Sequence, residues 1–127
     1  MSSVDVYPSL TYRNLAAAIE FLTTAFSLTI GEVGHDESGA LRYASLRYAL
    51  GRVLVQPDLP EELHGSHLGQ GWVYVAVAEP DAHFRHARDA GARVLGEPHD
   101  ALDGTHGYSA HDLEGNLWSF GSDRPGG

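Results

Sequence analysis

The 127-residue chain has no cysteine, which excludes disulfides, thiolate nucleophiles, iron–sulfur clusters and cysteine-rich zinc sites. It has no lysine either, since all 8 of its basic side chains are arginine. Schiff-base catalysis and a phosphate-gripping P-loop lysine are therefore absent. Positive charge as a whole is scarce: the formal net charge is −9 and the isoelectric point about 5.1. Such a surface repels phosphate backbones and anionic headgroups, so neither nucleic acid nor a membrane is an expected partner. A cationic small molecule would be attracted. No apolar run approaches the ~20 residues of a membrane span. The opening MSSVDVYPSL has neither a basic n-region nor an apolar h-region, so a cytoplasmic location is expected.

What is present is ordinary globular composition, 43% hydrophobic and 20% charged, enough to form a core without staples. Residues 1–127 are expected to form one domain, and that domain contains a repeat. Tyr7 to Asp58 and Trp72 to Asp123 carry the same signals in the same order, with Trp72 and Tyr7, Glu79 and Asn14, and Gly96 and Gly31 each about 65 positions apart. Module one is placed at 4–58, a Pro/Gly/His-rich linker at 59–71 and module two at 72–123.

Each module opens with a strand-like run, Tyr7-Pro-Ser-Leu-Thr-Tyr12 or Trp72-Val-Tyr-Val-Ala-Val77. A helix follows. In the first, Asn14 caps a run in which Leu15, Ile19, Leu22 and Phe26 recur at helical spacing; in the second, Glu79-Pro-Asp81 starts the helix and Gly91 stops it. A polar, glycine-containing turn region comes next. Each module then closes with a strand pair, Arg42–Leu50 with Val53–Gln56, and Tyr108–Asp112 with Leu117–Gly121 across a Glu-Gly-Asn turn. The fold class is thus α+β, two βαβββ modules forming a curved mixed sheet or barrel.

Side chains alternate across a strand, which sorts these residues between two faces. Pro8, Leu10, Tyr12, Val73, Val75, Val77, Trp118 and Phe120 are assigned to the helix-packed core. Tyr7, Ser9, Thr11, Trp72, Tyr74 and Ser119 are assigned to the opposite, open face. Among the histidines, His83 and His86 read as a solvated helix face, His64 and His67 fall in the linker, and His99, His106 and His111 are placed near the cavity rim. No nucleophile elbow or phosphate-cradling glycine loop is found.

The runs Leu10-Thr-Tyr-Arg-Asn14, Ala90-Gly-Ala-Arg-Val94 and Asp112-Leu-Glu-Gly-Asn-Leu-Trp-Ser-Phe-Gly121 resemble the glyoxalase, bleomycin-resistance and extradiol dioxygenase (vicinal oxygen chelate) superfamily. The resemblance spans nearly the whole chain. It implies that the four inward positions at which the enzymes hold a divalent ion, mostly with His and Glu, fall on Tyr7, Val55, Trp72 and Ser119. Those side chains make no ligand set for Zn, Mn, Fe or Ni. The expectation is a protein without metal or other cofactor and without catalytic residues, similar to the bleomycin-resistance branch, in which a homodimer forms the ligand groove.

The expected function is sequestration of a bulky small molecule, cationic, aromatic or both, such as a bleomycin-type glycopeptide or a planar-aromatic peptide antibiotic. The ligand-binding residues would be Tyr7, Ser9, Thr11, Val55, Trp72, Tyr74, His106, His111 and Ser119. Two other readings compete. One is a metal-dependent isomerase, lyase or transferase of the same superfamily acting on a small metabolite. The other is a ligand-free scaffold whose open sheet face pairs with protein.

Overall fold

The computed structural model describes residues 6–125; positions 4 and 5, expected to begin module one, lie outside that range. The chain runs β1 (Ser9–Tyr12), α1 (Leu15–Ala25), β2 (Thr29–His35), β3 (Leu41–Tyr48) and β4 (Gly51–Pro57). After the linker come β5 (Trp72–Ala76), α2 (Pro80–Asp89), β6 (Arg93–Val94), β7 (His99–Asp100), β8 (His106–His111) and β9 (Leu117–Gly121). The strands form two separate sheets, ordered β1-β4-β3-β2 and β5-β9-β8-β6, with β7 also paired to β8. In each, the opening strand lies parallel to the closing one and the hairpins are antiparallel. Two βαβββ-like modules are therefore present, and the expected alternative of a closed barrel is not.

The helices form for the reasons the spacing suggests. Leu15, Ala18, Ile19, Leu22 and Ala25 are the buried stripe of α1, and the Asn14 side chain accepts from the Ala17 N–H at its start. In α2, Pro80 occupies the first turn, where its missing N–H costs nothing, and Gly91 ends the helix at φ +94°. Pro80, Phe84 and Ala87 are buried.

One apolar cluster draws on both modules. Phe26, just after α1, packs its ring 5.5 Å from Trp118 and 4.9 Å from Phe120, and Phe120 stacks on Tyr108 at 5.1 Å. Val75, Val77, Trp118 and Phe120 occupy the core as alternation predicts.

Three expectations fail here. The polar stretch after α1 is not a turn but the seven-residue strand β2, whose paired backbone does not depend on burial; every residue except Gly34 is exposed. His86 is exposed as expected, but His83 does not share a solvated face with it. His83 is half-buried, with Nε2 on the Phe26 carbonyl at 3.0 Å and Nδ1 on the Tyr108 hydroxyl at 2.6 Å, while His86 Nε2 reaches the Thr24 carbonyl at 2.7 Å. Both rings thus satisfy carbonyls that the last turn of α1 leaves without helical partners. Finally, Val55 is fully buried between Leu10 and Ala44, on the helix side of the first sheet.

Candidate functional site

The open face of the second sheet presents three rows of side chains set by strand register. Trp72, Leu117 and His111 form one row, Tyr74, Ser119 and Ser109 the next, and Ala76, Gly121 and Gly107 the third. Trp72 is 73% exposed, yet its indole N–H donates to Ser119 Oγ at 3.1 Å. Ser119 Oγ lies 2.9 Å from Ser109 Oγ, so a chain of polar groups crosses all three strands. The indole is held in place while its face stays open.

Beside it the Tyr74 hydroxyl donates to the Asp123 carbonyl at 2.7 Å. Desolvation, helped by the Asp123 charge, holds that hydroxyl above the usual phenol range. A glycine is required next to this ring. At Gly121 a Cβ would stand 2.8 Å from Tyr74 Oη and 3.2 Å from Cε1. The gap that results continues into a cavity of about 140 Å³ bounded by Tyr74, Thr105, Gly107, Ser109 and Ser119. His111 closes the first row, its Nδ1–H donating to the Gly115 carbonyl at 3.2 Å.

The other predicted site residues are distributed differently. Tyr7 and Ser9 are exposed at the start of the first sheet, where Ser9 pairs with Leu54. Thr11 is buried at 5% exposure and lines no open surface. Val55 points into the core because the two hairpin turns differ in length. The first closes at the pair Tyr48 and Gly51, the second at His111 and Leu117. Matching Gly51 to Gly115 therefore shifts the register by one residue and turns the side chain over. The residue that stands to Ser9 as Ser119 stands to Tyr74 is Leu54.

His106 is also on the wrong face for a rim residue. It shares its parity with the buried Tyr108 and Ala110, and its ring bridges Asp81 at the start of α2 and Asp100 in β7, both at 2.8 Å. Those two carboxylates, Asp81 first, raise its pKa above the ordinary histidine value. Among the described residues no hydrogen bond or ring contact joins Tyr7 and Ser9 to the platform of Trp72 and Tyr74. Ser109 was missed, although alternation along β8 would have placed it beside Ser119.

A resident divalent ion does not fit these residues. With Leu54 in place of Val55, the four inward positions hold a phenol, an isobutyl group, an indole and a hydroxyl, none of which forms a site with the others. No group of three or more His, Asp, Glu or Cys side chains suited to a metal occurs among the described residues.

A family model described as the Glyoxalase/Bleomycin resistance protein/Dioxygenase superfamily matches residues 6–120, and the chain belongs to that superfamily. Similar proteins include the uncharacterized protein Mb0911c of Mycobacterium bovis, 30% identical over 122 residues that cover 90% of this chain and 80% of that one. Rv0887c of Mycobacterium tuberculosis is likewise 30% identical, with 90% of this chain and 71% of that one covered. Among solved structures, TioX from Micromonospora sp. ML1 superposes with a TM-score of 0.75 at 25% identity, over 93% of this chain and 94% of that one. The hypothetical protein SA1046 from S. aureus shares the fold alone, with a TM-score of 0.75, 15% identity and coverage of 97% and 96%. No described helix is long and apolar enough to cross a membrane.

Proposed function

We propose that this chain is a small-molecule binding protein of the superfamily, without a resident metal, that captures a planar aromatic or cationic compound on the open face of its second sheet. One observation carries the reading: Trp72 is an exposed indole locked by a hydrogen bond to Ser119. A large apolar ring left in water is costly unless something covers it, and a ring already fixed loses little entropy when that happens. Stacking contributes about 0.5–1.5 kcal/mol per aromatic contact beyond buried area, and a cation over the indole about as much again. The net charge of −9 draws a cationic ligand toward the protein.

The ligand class that fits is a basic glycopeptide of the bleomycin type or a planar-aromatic peptide antibiotic, and capture would protect the host by lowering free drug. A second copy of the chain, facing the open sheet, would complete the enclosure. Intrinsic fluorescence titrations against such compounds test the proposal, because Trp118 is fully buried and Trp72 is the exposed reporter. A saturable change is expected, with calorimetric titration showing affinity at least tenfold weaker in Trp72→Ala and sedimentation showing a dimer in the bound state. Absence of saturation with every compound of the panel would sink it.

A further inference from the structure

The two modules meet unequally along their junction. At one end contact is tight: a Cβ on Gly71 would lie 2.0 Å from Leu10 Cδ2, and the Gly71 N–H donates to Asn116 Oδ1 at 2.8 Å. At the other, beyond Pro8, a groove of about 380 Å³ stays open between the β3–β4 hairpin and β5. That volume falls in the range of about 300–1,000 Å³ typical of small-molecule sites. Its walls are apolar, with Leu28, Leu46 and Val53 from the first module, Val73 and Val75 from the second, and buried Trp118 at the base.

The charged groups at this groove are of one sign. Arg52 and Arg124 line it, and Arg47 pairs directly with Arg52 across the β3–β4 ladder. Like charges directly opposite in a hairpin are destabilising, and among the described residues none of the three arginines lies within ion-pair distance of a carboxylate. Two of the 8 cationic side chains of an acidic protein, Arg52 and Arg124, thus line one apolar opening with no carboxylate at ion-pair distance among the described residues. An apolar cleft with a guanidinium rim is complementary to an amphipathic anion, because guanidinium pairs with carboxylate through two parallel hydrogen bonds.

We propose that the junction groove is a second binding site, for a medium-chain aliphatic carboxylate. The chain would lie between Val53 and Val75 over Trp118, with the carboxylate at Arg52 and Arg124. Tyr74 borders both this groove and the open face of the second sheet, so the test separates the two sites by removing the indole of the aromatic platform. Trp72→Phe leaves Trp118 as the sole tryptophan, at the base of the groove. Titration of that variant with decanoate is expected to give a saturable change in Trp118 emission.

Adding Arg52→Gln and Arg124→Gln is expected to weaken decanoate at least fivefold, about 1 kcal/mol. Decanol and decyltrimethylammonium should bind at least fivefold more weakly than decanoate before the arginines are changed. Should Arg52→Gln unsettle the hairpin, as a lowered urea midpoint would reveal, Arg124→Gln alone must weaken decanoate at least twofold. No saturation, a smaller loss than these, or equally tight binding of the alcohol or the cation would overturn the assignment.

Discussion

The two modules close with hairpins at equivalent places, and the turns of these hairpins have opposite fates. In the second module, Asp112 is 1% exposed and accepts from Tyr12 Oη at 2.6 Å, Trp118 Nε1 at 3.1 Å, Asn116 Nδ2 at 3.2 Å and the N–H groups of Glu114 and Asn116 at 2.9 and 3.1 Å. Glu114 then reaches the first module, its carboxylate accepting from the Arg13 and Asn14 N–H groups at 2.7 and 2.9 Å where α1 begins. That is where a helix presents unpaired N–H groups and partial positive charge. In the first module the turn at Ala49 and Leu50 joins no such network, and Leu50 is 92% exposed. One repeat spent its turn on joining the modules. The other left its turn free, beside the groove.

The sharpest way to break this contrast is Asp112→Ala. It strands the Tyr12, Trp118 and Asn116 donors in the core, and each buried unsatisfied group costs about 1–3 kcal/mol. A loss of roughly 3–5 kcal/mol is expected, read as a lower urea midpoint with unchanged slope. Burial, reinforced by the Asp112 charge, holds the Tyr12 hydroxyl far above the ordinary phenol range, which keeps it a donor to Asp112. A destabilisation under 1 kcal/mol would mean that the network is not what joins the modules.

A second comparison sets His83 against His106, with smaller effects of opposite sign. His83 links the modules through the Phe26 carbonyl, and burial holds its pKa below the ordinary histidine value, with neighbouring His86 acting in the same direction. The unfolded chain therefore takes up a proton that the folded chain refuses. The stability is full above about pH 6.5 and is lost as pH falls through the folded value. His106 links only parts of module two, and its pKa is raised, so its contribution is full below about pH 6.5 and is lost as pH rises through its folded value. Salt screens the exposed His106 pair much more than half-buried His83. Urea midpoints measured from pH 5 to 8 should show His83→Gln flattening the acid arm and His106→Asn the alkaline arm. The same slopes in both variants would refute the assignment.

How far these features could be read from sequence depended on whether a period or a packing fact determined them. Alternation placed Val75, Phe120, Tyr74 and Ser119 on their observed faces, since parity survives small errors in strand ends. Val55 was misplaced because parity does not survive a turn of different length. His106 followed from the same blindness, as its strand starts earlier than its apolar residues announce. For β2 no signal existed: Thr-Ile-Gly-Glu-Val-Gly-His has no alternation, and pairing with β3 alone makes it a strand. His83 was legible, three residues after buried Pro80 and adjacent to Phe84, but its charged neighbours masked the pattern. The junction network and the groove arise from residues distant in sequence, such as Tyr12 with Asp112, and no local pattern announces them.

The smallest expected effect is Leu50→Ser, and it is the one that separates a turn left free from a turn merely packed poorly. Leu50 follows Ala49, whose φ of +50° already carries the strain of the tight turn, and the side chain itself stands in solvent. Removing it exposes no core and strands no polar group, so stability should move by no more than about 0.5 kcal/mol. Leu50 nevertheless lines the groove, so its loss should weaken decanoate measurably in the Trp72→Phe background. A large fall in the urea midpoint would instead place Leu50 among the residues that hold the modules together, and the difference between the two turns would disappear.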